Sequence, residues 1–405
     1  MVKLQRVETG NKSEHKPCPV CHHEGMSVFF EIVDLPIHCT LLWPSKEAAL
    51  NAPKGDIRLG FCRNCGMIYN MAFDPSLMQY TQQYENSLHF SPHFQGYARE
   101  LATQLVKKYH LQGKTIIEIG CGSGEFLSML CEGGGNRGVG FDPSYAGKRE
   151  DSVLSEHLTF IKGYYSEAYA EYKADFICCR HVLEHVVSPR DFLTQIRQAI
   201  RDRPDCMVFF EVPTVLYTLR DLSIWDIIYE HCSYFCASSL TRAFTESGFN
   251  VLQASEAFSG QALCIEATPT DGIPASHSGQ QLDSSEEIQD LVYGFAESYQ
   301  EKLNAWRNHF RKFTLNGKKA VLWGAGARGS SFLNMLNATA QIEYVVDISP
   351  RKHGKYMGGT GQQIVAPKDL EQLKPDVIIL TNPVYENEIK DFAKSLGLHS
   401  EFLVA

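Results

Sequence analysis

The chain has 405 residues, more than a single hydrophobic core usually supports, so two or three domains are expected. A composition of 44% hydrophobic and 21% charged residues is that of an ordinary globular protein, and a net charge of −9 argues against sequence-independent binding to nucleic acid. The polar segment 1–17 lacks the apolar stretch of a secretory signal, and no run approaches the roughly 18 apolar residues of a membrane span. The expectation is a cytoplasmic protein with no membrane or nucleic-acid partner, and the odd count of thirteen cysteines fits reduced thiols.

The first block, residues 1–88, is poor in long periodic segments and holds two CxxC pairs, Cys18–Cys21 and Cys62–Cys65. A CxxC turn lets two thiolates reach one metal, and two such turns complete a tetrahedral four-sulfur shell. Four sulfurs leave no open coordination position, so a structural zinc ion is expected. A small block with few helices would need that staple to fold. His22 and His23 read as exposed loop residues beside Cys21.

A second block, residues 89–270, opens with a helical pattern over Ala98–Tyr109. Short buried strands then follow at Thr115–Ile119, Gly138–Phe141, Thr159–Lys162, Asp175–Cys179 and Met207–Val212. Strands alternating with helical patterns give a mostly parallel, doubly wound α/β sheet. The first strand ends in Glu118-Ile-Gly120-Cys121-Gly122-Ser-Gly124 and opens a helix at Glu125. Glycines at alternate positions let the backbone turn sharply against a ligand that a Cβ would strike.

The GxGxG spacing, with an acidic residue two positions before it, differs from the dinucleotide fingerprint GxGxxG. It suits S-adenosylmethionine, which has no pyrophosphate to seat on a helix N-terminus. Asp142, before Pro143 at the end of the next strand, is placed to accept hydrogen bonds from both ribose hydroxyls, and Gly163-Tyr164-Tyr165 is placed to flank the adenine. The pattern of Glu118, the three glycines and Asp142 is that of class I methyltransferases. In those enzymes a stretch like Arg180–Val186 often serves as scaffold around the cofactor. That makes His181 a cofactor-binding candidate and gives His185 no catalytic part.

A Pro-, Ser- and Gly-rich stretch, 273–285, marks a boundary, and residues 271–405 form the third block. It leads with an amphipathic helix over Glu286–Lys312, whose apolar positions Ile288, Leu291, Val292, Phe295, Tyr299, Leu303, Trp306 and Phe310 keep helical spacing. A strand at Lys319–Trp323, the turn Gly324-Ala-Gly326-Ala-Arg328-Gly329 and Asp347 then give a Rossmann-like unit. Taken alone, this unit would suggest NAD.

The whole chain resembles the three-domain sugar C-methyltransferases that act on nucleotide-linked 4-ketosugars. The marks are the paired CxxC turns, Glu118–Gly124, Glu211-Val-Pro213, Glu230-His231 within Tyr229–Phe235, Gly260-Gln261 before Ile265-Glu266-Ala267, and Gly324–Gly329 with Val346-Asp347. The resemblance implies an N-terminal zinc-binding domain, a central class I methyltransferase domain and a C-terminal Rossmann-like domain that closes over the sugar nucleotide.

It also implies deprotonation of the carbon next to a ketone, with the enolate taking the methyl group. His231 is then the general base, Glu230 its companion, and Tyr229 and Tyr84 candidate donors near the ketone oxygen, with Tyr80 as competitor to Tyr84. Family members often place a tyrosine two residues before the glutamate; here that position is Ile228. Arg328 and Lys352 are candidate cations for a phosphate. The expected partner is a nucleotide-linked ketosugar, and the protein is expected to be a monomer or homodimer. The rival readings are an O- or N-methyltransferase, an NAD-dependent oxidoreductase using the C-terminal glycine turn, and a zinc-stapled nucleotide-binding scaffold.

Overall fold

The computed structural model describes residues 13–14, 16–78, 88–145, 147, 156–272, 283 and 285–405. Three sheets organise them. The first is antiparallel and contains β1 (Ser13–Glu14), β2 (Met26–Pro36), β3 (Lys54–Phe61) and β4 (Ile68–Asn70), with helix α1 (Lys46–Leu50) inserted before β3.

The second sheet follows helix α2 (Pro92–Lys108), which starts where Ser91 caps it, accepting the Phe94 N–H, and Pro92 presets the first turn. Its strands are β5 (Thr115–Ile119), β6 (Arg137–Phe141), β7 (Leu158–Ile161), β8 (Phe176–Arg180) and β9 (Met207–Pro213). The next strand, β10 (Ser233–Tyr234), leaves this sheet and pairs with β4 of the first. The hairpin β11 (Phe249–Ala257) and β12 (Ala262–Pro269) completes the second sheet in the order β11-β12-β9-β8-β5-β6-β7.

All its neighbours from β9 to β7 pair in parallel, while β12 runs antiparallel between β11 and β9. Ile116 and Ile117 are both buried but belong to different apolar clusters, as successive residues of a strand covered on both faces must. The sequence pattern places these five parallel strands to within a residue of their ends. Tertiary packing, which no local pattern encodes, sets the rest.

The third sheet, in order β15-β14-β13-β16-β17, is wholly parallel. It contains β13 (Ala320–Trp323), β14 (Ile342–Val346), β15 (Gln363–Val365), β16 (Val377–Leu380) and β17 (Glu401–Val404). The amphipathic helix before it spans Ser285–Leu315. One of its faces (Ile288, Val292, Phe295, Tyr299, Leu303, Trp306, Phe310) is buried in a single apolar cluster. That cluster also takes in β2, β3, the segment 215–236 and one face of the third sheet. The helix therefore splints the first sheet to the third. Among the described residues no helix is long and apolar enough to cross a membrane.

Candidate active site

The glycine turn after β5 has the left-handed backbone that its composition requires: φ is +74° at Gly120, +53° at Gly122 and +80° at Gly124. A Cβ on Gly120 would lie 2.2 Å from Val182 Cγ2, and one on Gly124 would lie 2.3 Å from the Phe160 ring, so both glycines are enforced by packing. A Cβ on Gly122 would meet nothing within 4 Å. The turn is thus braced from behind and open in front, which is the shape a bound nucleoside needs.

Asp142 secures this turn from the end of β6. Its Oδ2 accepts the Gly122 N–H at 2.9 Å, and its Oδ1 accepts the Ser144 N–H at 2.7 Å. Pro143 follows, half-buried, and Tyr145 stacks on Phe160 at 4.7 Å between centroids. Tyr164 is 73% exposed, whereas Tyr165 packs edge-on against Phe141 in the core. Cys121 is buried with its sulfur towards Gly140, so its side chain faces the sheet. Glu118 is buried and accepts the Leu127 N–H at 3.0 Å; burial pushes its carboxyl up to about 8, against the pull of Arg180. Its carboxylate bonds the first turn of the helix at 125–134, so it acts on the glycine turn through the backbone.

Beyond β8 the chain turns at His181, a non-glycine residue with φ of +56°. His181 Nε2 lies 3.3 Å from Glu211 and its Nδ1 lies 3.7 Å from Glu184. Burial disfavours its cation, but Glu184 and Glu211 outweigh that and raise its pKa to about 9. Behind it, Arg180 and Glu211 form a buried ion pair at 2.7 Å, side by side across β8 and β9.

His231 sits on a loop held from two sides. Asn70 of β4 donates its N–H to Cys232 O at 2.9 Å, and the Ser233 hydroxyl reaches Val186 O at 3.3 Å. Tyr234 Oη bridges the N–H and carbonyl of Ile228, which is itself buried. The His231 ring meets the His185 ring edge-on at 4.8 Å, and His185 Nδ1 lies 2.9 Å from Glu230 O. Burial, then the neighbouring His185, lower the His231 pKa to about 3, so the imidazole is neutral at physiological pH.

The same short segment that packs Val182 against Gly120 thus carries His185 against His231. This link joins the glycine turn to the histidine loop. Glu184, His185 and His231 place donor atoms within 4.8 Å of one another.

The neighbours of His231 in sequence point elsewhere. The Glu230 carboxylate is buried and accepts the Cys39 N–H at 2.6 Å. Tyr229 is buried; its ring lies 5.3 Å from Phe73 and its hydroxyl accepts the Asp74 N–H at 2.9 Å. Both side chains therefore anchor the loop to the N-terminal block. Tyr84 and Tyr80 lie outside the described residues. Sequence reasoning missed His38, whose half-buried imidazole interacts with Glu230 and has its pKa lowered by burial. It also missed Glu184. A lone histidine 192 positions upstream of Glu230 leaves no local signal.

The C-terminal glycine turn has a different backbone, with a positive φ at Gly324 (+113°) and a negative one at Gly326 (−109°), but an aspartate secures it in the same way. Asp347 Oδ2 accepts the Ala325 N–H and its Oδ1 the Ser349 N–H, each at 2.8 Å. Here, however, the buried Lys352 ammonium bonds Asp347 Oδ2 and Ala325 O, both at 3.1 Å. An ammonium of the chain itself faces the carboxylate that a dinucleotide ribose would use. Arg328 pairs with Asp226 and lies 5.4 Å over the Tyr217 ring, so both cations are engaged within the chain.

The four CxxC sulfurs lie within 4.8 Å of one another, with Cys18 to Cys65 at 3.6 Å and Cys21 to Cys62 at 3.5 Å. A zinc ion with bonds of about 2.3 Å requires sulfurs about 3.8 Å apart, and a disulfide would need about 2.05 Å. The cage has the dimensions of a tetrahedral zinc site.

Comparison with known proteins agrees with this geometry. Residues 92–254 match the family model described as a methyltransferase domain, and residues 275–403 match the C-methyltransferase C-terminal domain. The chain is 25% identical over 400 residues to the C-methyltransferase NovU of Streptomyces niveus, covering 93% of this chain and 92% of that protein. It is 35% identical over 95 residues to a mitochondrial ubiquinone biosynthesis O-methyltransferase of Schizosaccharomyces pombe, covering 22% of this chain and 35% of that one.

Among solved structures, the 1,6-didemethyltoxoflavin-N1-methyltransferase of Burkholderia thailandensis, with its substrate and S-adenosylhomocysteine bound, aligns at 13% identity and a TM-score of 0.35. That alignment covers 51% of this chain and 96% of the other. With a methyltransferase domain, a C-methyltransferase C-terminal domain and a nearly full-length relative of that activity, the chain belongs to the S-adenosylmethionine-dependent C-methyltransferase family.

Proposed function

We propose that this C-methyltransferase methylates the carbon next to the ketone of a nucleotide-linked 4-ketosugar, with His231 as general base. The observation that carries the reading is the contact between His231 and His185, because the segment bearing His185 also packs on the glycine turn. Transfer of a methyl group to carbon needs removal of a carbon-bound proton, and oxygen or nitrogen acceptors do not. An imidazole joined to the cofactor turn through His185 can take that proton once a neighbouring anion offsets the burial and the His185 ring that lower its basicity.

The residues Gly120, Gly122, Gly124 and Asp142 suit S-adenosylmethionine, with Glu118, Cys121, Pro143, Tyr164 and His181 around them. When bound, that cofactor supplies an activated methyl group on its sulfonium. The chain's own work is to hold the acceptor, take its proton on His231 and keep water out. Glu230 and Tyr229 belong to this site as anchors of the loop that presents His231.

A screen of ketosugar nucleotides for a gain of about 14 mass units, followed by NMR for a new C–CH3 group, tests the acceptor. His231→Asn is expected to lower turnover by about 10²–10⁴-fold, the range for loss of a general base, with S-adenosylmethionine binding intact. Normal turnover of that variant, or an O–CH3 product, would refute the reading.

The four-cysteine cage is proposed to hold a structural zinc ion. The purified protein is expected to contain one zinc per chain by elemental analysis. Cys62→Ser is expected to lose it along with the melting cooperativity of the first sheet, since the knuckles share an apolar cluster with that sheet and with the methyltransferase core. A metal-free wild-type protein with unchanged melting would contradict the assignment.

A further inference from the structure

Among the described residues, Glu184 is a buried carboxylate whose second oxygen neither the cofactor motif nor its pairing with His181 explains. It lies in the single turn Leu183–His185, 2% exposed. Its Oε1 faces Nδ1 of His181 at 3.7 Å, while its Oε2 is buried with no hydrogen-bond partner. A buried carboxylate oxygen left unpaired is unfavourable unless a partner arrives during function. Two imidazoles are adjacent, because a Glu184 carboxylate oxygen and a ring nitrogen from each of His185 and His231 lie within 4.8 Å of one another. His185 Nδ1 lies 2.9 Å from Glu230 O.

We propose that Glu184 is a positioning residue for methyl transfer: it orients the His231–His185 pair and neutralises the cation that forms when His231 takes the acceptor's proton. This rests on His231 acting as the base. In that step the carbon–hydrogen bond breaks, its electron pair remains as the enolate, and the proton goes to the His231 imidazole. The positive charge then stands beside the Glu184 carboxylate.

The groups around His231 make such an anion necessary. Burial, His185, His181 and Arg328 all disfavour its protonation, and the strongest influence in its favour is Glu184. Around Glu184, burial is outweighed by His181, His185 and His231, which hold its carboxyl below the ordinary range, so it is ionised at neutral pH. The other carboxylate on the loop, Glu230, is turned to Cys39.

The test uses the full-length protein with Glu184→Gln, Glu184→Asp and His231→Asn. In nitrogen-15 NMR of the histidine rings at neutral pH, which needs no acceptor, Glu184→Gln is expected to shift the ring-nitrogen signals of His231 and His185. The exposed-loop histidines His22 and His23 should stay unchanged. With the ketosugar nucleotide that gains mass in the screen above, Glu184→Gln is expected to lower kcat about 100-fold, the low end for a lost acid–base function.

The acid limb of its rate profile should move, while KM for the acceptor and affinity for S-adenosylmethionine stay within about three-fold; Glu184→Asp should restore part of kcat. Unchanged ring signals in Glu184→Gln would overturn the proposal, and so would a wild-type rate and pH profile. A second divalent ion per chain that Glu184→Gln removes would also overturn it, since Glu184 would then be a metal ligand. If His231→Asn turns over normally, the base reading itself fails. If only His231→Asn is impaired, the base reading stands and the role of Glu184 falls.

Discussion

Glu211→Ala should destabilise the fold by about 3–5 kcal/mol, the cost of leaving one member of a buried ion pair without its partner. The Arg180 and Glu211 side chains are 6% and 1% exposed, and Nε to Oε2 is 2.7 Å. The guanidinium also lies 4.1 Å over the Phe126 ring, so water cannot reach it to replace the carboxylate. Arginine does not discharge by losing a proton. Removing Glu211 therefore strands a full positive charge between two central strands and takes away one of the two carboxylates beside His181.

The loss should appear in urea denaturation as a lower midpoint with an unchanged slope. A change below about 1 kcal/mol would mean that the interior relaxes or hydrates far more than this packing allows. The pH dependence has a definite sign. Burial acts to raise the Glu211 carboxyl, but Arg180 and then His181 outweigh it and hold it well below the ordinary 4.5. Its contribution is therefore complete above that value and declines as pH falls through the folded-state pKa. Glu211→Ala should flatten this part of the acid-stability curve.

Asp142→Ala should weaken S-adenosylmethionine binding by about 100-fold or more. Two charge-assisted hydrogen bonds to a ribose, at roughly 1.5 kcal/mol or more each, already account for that factor. The wild-type carboxylate also holds the Gly122 N–H at 2.9 Å, so its removal loosens the one glycine whose outer face is open. Calorimetric titration measures the effect directly. The C-terminal domain supplies the control. Asp347 makes the same two backbone contacts, but Lys352 lies against it, so Asp347→Ala should leave cofactor affinity unchanged. Equal affinity in Asp142→Ala and wild type would place the cofactor elsewhere.

The sequence was most legible where function constrains the backbone. Alternate glycines between a buried strand and a helix, with an aspartate ending the next strand, can hardly be met by chance, and these residues converge on one turn. The CxxC pairs were legible for a similar reason, since a metal site has fixed spacing. The histidine loop was legible only through family resemblance, and the directions of its side chains were not legible at all. Adjacent residues in a tight loop point different ways, so Glu230 and Tyr229 reach the N-terminal block while His231 turns to His185.

Glu184 reads as scaffold until the third dimension leaves its Oε2 without a partner beside two imidazoles. The buried pair Arg180–Glu211 depends on strand register, and His38 approaches Glu230 across almost half of the chain.

The pairing of β10 with β4 ties the strand after His231 to a strand roughly 165 positions earlier. Contacts at such separation form late, because the intervening chain must first be confined. The methyltransferase sheet can therefore be complete, and its glycine turn competent for a nucleoside, while the histidine loop still lacks its clamp. Ordering of the histidine loop then waits on the antiparallel sheet next to the four-sulfur cage. A metal held by that cage would in this way govern when the histidine loop is first ordered, by the sequence of assembly and without entering the chemistry.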